Sequence, residues 1–462
     1  MENINIYPDQ DIKIMGARSQ PNFKNGYISL SAERNLVALD STTKTPVTVF
    51  WIYEGDSTGV HSSSFRDTKP FKSLLTLKPA VRLRGSNIST GRPNSFTAVM
   101  NDGSACDFDS NDQEVSYSQP ERNHDIHTVG NFSSCPALIN KQGQILSEVE
   151  LPENIAALND VIDVTSGYCE SIILRGNGSL IYWQHNEKTN VGPPPTEIAE
   201  LNDIIAIQHN GFSVAVLRSG GQVMAWGRPK SIINYGSEVP QDIAALTDIV
   251  KLWSATHSYI AQRRNGQLVA WGDGTNSFGV GDLPPAIAKL TDIIHVATAS
   301  TGAAALRANG QVVGWGDYGK NTLPQDRPWT VVPYEIARLR DILDVQALGG
   351  PGFAALRRNG TVVTWGVTNN SKVPSDLTDV VAITGSHDSI AALKKDGTVT
   401  VFGHPAMVSS WQTVRHLLVD VQAVYSSFDS FIALTASGKV ISWSFNKQFI
   451  PEALQGKVSY QQ

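Results

Sequence analysis

Ala354-Ala355-Leu356-Arg357-Arg358-Asn359-Gly360-Thr361-Val362-Val363-Thr364-Trp365-Gly366 reads as two apolar stretches joined by a turn. The phrase returns at Ala391-Ala392-Leu393-Lys394-Lys395-Asp396-Gly397-Thr398-Val399-Thr400-Val401-Phe402-Gly403. Working outward from its glycine, the same register appears at Gly103, Gly143, Gly178, Gly221, Gly266, Gly310, Gly360, Gly397 and Gly438, at spacings of 35 to 50 residues. Such a period belongs to propeller-like repeats. Four residues before the glycine the column is apolar except at Gln262, as at Leu174, Leu217, Leu306, Leu356, Leu393 and Leu434. Five residues after it stand Phe108, Glu148, Trp183, Trp226, Trp271, Trp315, Trp365, Phe402 and Trp443, eight of nine aromatic. The departures concentrate in the first two units, which are degenerate.

Each unit predicts strand, loop, strand, tight turn, strand. The first strand follows an aspartate, as in Asp203-Ile204-Ile205-Ala206-Ile207 and Asp292-Ile293-Ile294-His295-Val296. Asn-Gly and Asp-Gly pairs such as Asn177-Gly178, Asn359-Gly360 and Asp396-Gly397 predict type I′ hairpin turns, which need positive φ at both central residues. One short meander cannot bury both of its faces, so successive sheets must stack, and closing the stack into a ring leaves only short protected edges. The aromatic column supplies an apolar body for the gap between neighbouring sheets. Linkers such as Pro240-Gln241-Asp242-Ile243-Ala244-Ala245-Leu246 predict a helical turn opened by proline.

The phrase apolar-Leu-x-x-Asn/Asp-Gly-x-Val-x-x-Trp-Gly, followed by Pro and then Asp-Val/Ile, resembles the regulator of chromosome condensation repeat. It is similar above all to the shorter bacterial version in the propeller-type β-lactamase inhibitor. The resemblance spans about residues 80 to 462 and is strongest from Asp160 to Ser444. It implies an all-β propeller of three- or four-stranded blades, seven by family precedent and up to nine by counting units. The family uses this scaffold for nucleotide exchange, enzyme inhibition, toxin assembly and other binding tasks, so it implies a fold more than a function.

Composition agrees with short strands and many loops: of 462 residues, 38 are Gly and 23 Pro, 41% are hydrophobic and only 17% charged. A net charge of -6 provides no basic field for phosphate, which argues against a nucleic-acid partner. No apolar run reaches the ~20 residues that span a bilayer, and Met1 to Gln20 does not read as a signal peptide. The expectation is a cytoplasmic protein, or one exported without a conventional leader. Cys106, Cys135 and Cys169 lack C-x-x-C spacing and are expected as buried free thiols.

Residues 1–78 lack the anchor, and Gly26-Tyr27-Ile28-Ser29-Leu30 and Pro46-Val47-Thr48-Val49-Phe50-Trp51-Ile52-Tyr53 read as strands of a small N-terminal β-sandwich-like domain. Propeller units then fill 79–462, degenerate over 79–150 and clear over 151–462. Neither Gly55-Asp56-Ser57-Thr58-Gly59 nor His124-Asp125-Ile126-His127 has the partners that a serine triad or a zinc site requires. No catalytic residue, metal ligand or cofactor is therefore expected.

The loop between the first and second strands of every unit projects from one end of the ring. There the sequence places Tyr168, Phe212, His257, Tyr259, Phe353, His387 and Phe428, the kind of aromatic and imidazole side chains that make binding hot spots. These seven are the expected partner-binding residues, on the reading of a non-catalytic module that docks a protein partner. The alternative is a carbohydrate- or receptor-binding component of a bacterial toxin or host-interaction system, although loop residues that differ between units argue against identical sugar sites.

Overall fold

In the computed structural model the chain is a string of small antiparallel sheets. It describes strand residues and one turn between 12 and 86, and residues 95–458 except 101, 110–113, 117–125, 132–135, 148, 168–169, 186–190, 230–232, 274–279, 300, 317–330, 349–351, 367–371, 428 and 446. Units are numbered here one to nine by their glycines, Gly103 to Gly438.

The turn is built differently from the type I′ expectation. In unit three the Gly178 N–H donates to the Arg175 carbonyl (3.0 Å) and the Arg175 N–H to the Ser179 carbonyl (3.0 Å), which closes a three-residue loop. Gly178 has φ +80°, whereas no asparagine or aspartate preceding an anchor glycine has positive φ. This is a type I turn followed by a left-handed glycine, the usual three-residue hairpin. The asparagine instead serves through its side chain: Asn177 Oδ1 accepts from the Ser179 N–H at 3.0 Å, and Asn265, Asn309 and Asn359 repeat the bond.

The same glycine couples one unit to the next. Its carbonyl accepts from the first N–H of the following unit's first strand: Val161 to Gly143, Ile204 to Gly178, Ile249 to Gly221, Ile342 to Gly310, Val380 to Gly360 and Val421 to Gly397, at 2.8–3.1 Å. A Cβ on Gly178 would stand 2.5 Å from the Asn202 carbonyl oxygen. The residue is thus required both for its φ and for the approach of the next unit.

Units three to eight are three-stranded sheets, such as Ile204–His209, Ser213–Arg218 and Val223–Gly227 in unit four. Neither face of such a sheet is closed by its own unit. Apolar clusters each straddle two consecutive units: Leu217 and Val223 of unit four meet Leu252, Tyr259 and Trp271 of unit five, and Leu306 and Val312 of unit six meet Val345, Phe353 and Trp365 of unit seven. The tryptophans lie in these gaps, and Trp226, Trp271 and Trp315 donate Nε1–H to the linker carbonyls of Gly192, Gly236 and Val280. The linkers carry the four-residue helices Glu153–Ala156, Thr196–Ala199, Gln241–Ala244, Pro285–Ala288 and Tyr334–Ala337. A proline precedes each helix as its cap, and the isoleucine three residues on (Ile155, Ile198, Ile243, Ile287, Ile336) is the buried contact.

First strands of successive units from two to nine lie side by side, and Val421–Ser426 of unit nine also touches Leu83–Ser86, the first strand of unit one. Short sheets stacked through shared apolar gaps around one set of inner strands form a β-propeller.

The separate N-terminal sandwich needs correction. The strand Ile12–Ser19 pairs in parallel with Val421–Ser426 and antiparallel with Arg34–Asp40, which pairs with Ser64–Asp67, so these three strands join the sheet of unit nine. An inner first strand has an open edge, and adding a strand there satisfies backbone groups that a small independent sheet would leave exposed. The expected strands recur at Tyr27–Ser29 and Val49–Ile52, each in a two-stranded ribbon. Cys106 is buried, while Cys135 and Cys169 lie outside the described residues.

Candidate functional site

Within a unit the first strand runs from the glycine-turn end to the loop end, and the second returns. Residue alternation then decides which loop side chains face out. The second strand begins eight residues before the anchor with a buried small residue (Ser213, Ser258, Ser389, Ser430). The next residue points into the gap between units and sits directly across the hairpin from the aromatic column: Tyr259 opposite Trp271, Phe353 opposite Trp365 and Phe431 opposite Trp443.

Two of the expected partner-binding residues are therefore core residues. Tyr259 is wholly buried, its ring stacks on Trp271 at 5.2 Å, and its hydroxyl donates to the Ser213 carbonyl at 2.7 Å. Burial raises the Tyr259 pKa, so the phenol stays protonated. Phe353 is equally buried and stacks on Trp365 at 5.2 Å. Neither can touch a partner. Tyr168 and Phe428 lie outside the described residues.

Phe212 and His257, nine residues before their anchors, do meet. Asn210, fully buried, folds the loop by accepting from the N–H groups of Phe212 (3.0 Å) and Ser213 (2.9 Å) while donating to the Tyr235 carbonyl (2.8 Å). This holds the half-buried Phe212 ring stacked on Tyr235 at 4.6 Å and edge-on to His257 at 5.4 Å, with Tyr235 and His257 5.0 Å apart. The exposed Arg228 guanidinium lies 5.3 Å from the Tyr235 ring and forms no ion pair among the described residues. Burial lowers the His257 pKa to about 4, so the imidazole is neutral at physiological pH. An aromatic platform with a cation at its margin suits an apolar side chain that neighbours a carboxylate.

At the junction of units three and four, His209 Nδ1 accepts from the Gly211 N–H at 2.7 Å, which leaves Nε2 to carry the proton towards Glu170 Oε1, 3.4 Å away. Both side chains are fully buried. Nearby, Ser171 Oγ lies 2.7 Å from His185 Nε2 and 2.6 Å from Ser166 Oγ, and burial lowers the His185 pKa against the opposing pull of Glu170. A serine beside a neutral imidazole has the chemistry of an activated nucleophile, but Ser171 has no exposed surface and cannot meet a substrate. The pair ties strands together.

In unit eight, His387 Nδ1 stands 2.8 Å from Asp388 Oδ2, both about one-third exposed, and the hydrogen bond from His387 lowers the Asp388 pKa. Among the described residues no group of three or more His, Cys, Asp or Glu could hold a metal, and no helix is long and apolar enough to cross a membrane. The sequence reading overlooked Tyr235 and Arg228, which no repeat column marks. It also overlooked a column that was legible: the arginine three residues before the anchor, paired with the aspartate that opens the unit's first strand.

A scan against protein-family models finds no match, and no curated protein matches the sequence. Among solved structures, the chain is similar to the CRINKLY WD40 ectodomain of the Arabidopsis thaliana receptor kinase ACR4 at 12% identity, a TM-score of 0.36 and coverage of 66% of this chain and 99% of that one. It is also similar to Prp20p of Saccharomyces cerevisiae, which binds Gsp1p and histones, at 16% identity, a TM-score of 0.35 and coverage of 59% and 82%. The computationally designed Ika8 protein matches at 13% identity, a TM-score of 0.37 and coverage of 79% and 96%. At such identities and TM-scores these likenesses add nothing to what the sheets establish. The propeller rests on the chain's own geometry.

Proposed function

We propose that the protein is a non-catalytic binding module whose loop end docks a protein partner, with Phe212 and Arg228 at the centre of the contact, the buried His257 and Tyr235 bracing the Phe212 ring from beneath, and His387 at its margin. One observation carries the reading: residues 212, 228, 235 and 257, from two units and a linker, converge on a preformed aromatic cluster with an exposed cation beside it. Such a cluster loses little conformational entropy on binding, because its rings already brace one another. The partner surface it suits carries an apolar or aromatic side chain next to an aspartate or glutamate.

Affinity capture with the intact chain tests this, comparing wild type with Phe212→Ala/Arg228→Ala. A partner held by wild type should be lost from the double variant, with an affinity drop of roughly 2–4 kcal/mol if the cluster is a hot spot. Partners retained unchanged by a folded double variant would overturn the reading.

A further inference from the structure

Two large titratable side chains interrupt columns that the repeat otherwise keeps small. Eight residues before the anchor, units four to nine carry Ser213, Ser258, Gly302, Gly352, Ser389 and Ser430, whereas unit three carries Glu170. The sixth residue of the first strand is Ser166, Ser254, Thr298, Ala347, Gly385 or Ser426, whereas in unit four it is His209. The two meet across the gap between units, fully buried, with His209 Nε2 3.4 Å from Glu170 Oε1. Gly167 makes the room, since a Cβ there would collide with Glu170 Oε1 and with the His209 ring. Burying a carboxylate is costly, and the other units stand without one. The scaffold does not ask for this pair.

The pair acts on the docking loop through one nitrogen. His209 Nδ1 accepts from the Gly211 N–H at 2.7 Å, so the ring is neutral with its proton on Nε2, and Asn210 Oδ1 completes the turn by accepting from Phe212 and Ser213. A second proton has only Nδ1 to occupy. It converts that acceptor into a donor and sets two N–H groups against each other, while an ionised Glu170 supplies the counter-charge for the imidazolium. Gly211, at φ +90° and without a side chain, is the residue whose peptide is able to turn away, and it precedes Phe212.

The described strands packed against Ile204–His209 place their other charges nearer the glycine-turn end: Asp163, Arg175, Arg218 and Lys251. At the loop end stand His185, whose pKa burial lowers against the pull of Glu170, and, past Phe212, His257 and the protonated Tyr259. With its pKa lowered to about 4, His257 stays neutral at pH 5.5.

We propose that acidification opens the loop presenting Phe212, through protonation of His209 at Nδ1, and so releases a partner held at the loop end. The inference rests on the docking role proposed for Phe212 and adds its regulation.

Two readouts on the full chain at pH 7.5 and pH 5.5 test it. Amide protection over residues 210–213, corrected for the intrinsic pH dependence of exchange, needs no partner, and affinity capture reads release. At pH 5.5 wild type should lose roughly tenfold in each, the worth of one hydrogen bond, with Gly302–Arg307 of unit six protected equally at both pH values. His209→Asn, whose Oδ1 accepts the Gly211 N–H at any pH, should hold loop and partner alike at both. Glu170→Gln, which keeps the size and removes the counter-charge, should shrink the response, and His257→Gln should respond as wild type does. Wild-type protection that ignores pH, a response of full size in His209→Asn or Glu170→Gln, or a loop that opens while capture holds would each overturn the proposal. Failure of the docking reading shows separately, as partners kept by Phe212→Ala/Arg228→Ala at pH 7.5.

Discussion

The anchor glycine answers two demands that no other residue meets together. Its left-handed φ closes the hairpin, and its missing side chain admits the backbone of the next unit. Gly178→Ala is expected to cost ~2–4 kcal/mol, combining φ strain with the clash at Asn202, and urea denaturation reads it directly. Asn177→Ala, which removes one exposed hydrogen bond, should cost about 1 kcal/mol or less. His257 supplies a pH dependence. Its folded pKa of about 4 lies below the ordinary ~6.5, so at intermediate pH the unfolded chain takes up a proton that the folded chain refuses. Stability from this group is complete above pH 6.5 and drains as pH falls towards 4. Wild type should lose about 2 kcal/mol more than His257→Gln between pH 7.5 and pH 5, measured by urea midpoints at both pH values. The sequence marked His257 correctly as a loop residue and misplaced Tyr259 two positions later, because alternation turns the second strand's first aromatic inward to meet the tryptophan across the hairpin.

Strands and linkers owe their stability to neighbours from other units. Trp315 sits between units five and six, with Val280 accepting its Nε1–H. Trp315→Ala should cost ~3–5 kcal/mol, as for other large aromatic deletions in a core. Arg307→Ala should cost less than ~1 kcal/mol despite its place in a regular column, since the Arg307–Asp292 pair is partly solvated. Thermal and urea unfolding of the two variants side by side would rank them. The tryptophan column was plain in the sequence because burial demands the same large residue each time. The turn type was not, since Asn-Gly is compatible with both a two-residue and a three-residue loop, and the hydrogen bonds that distinguish them depend on how far the flanking strands pair.

Across the ring, the two ends differ in chemistry. The loop end gathers aromatics that are mostly covered, and the glycine-turn end displays aliphatics beside a column of arginine–aspartate pairs. The N-terminal strand Ile12–Ser19 closes the open inner edge of Val421–Ser426. Removing residues 1–78 is expected to raise amide exchange in Val421–Ser426 while leaving Val223–Gly227 protected as before, which hydrogen–deuterium exchange on the full and shortened chains would resolve. Equal exchange at both strands after truncation would mean that the strand addition contributes nothing to the last unit.

By itself the amino-acid sequence determined the repeat, its period, the stacking of incomplete sheets and the residues that fill the gaps. All of these follow from local backbone geometry and from the need of each short meander to hide its apolar faces. Only the tertiary structure decided that Phe212, Tyr235 and His257 form one cluster, that Tyr259 and Phe353 belong to the core, and that the N-terminal strands extend the last sheet. Those outcomes depend on what a neighbouring unit places opposite each side chain or strand edge, and no periodic pattern along one chain encodes that meeting.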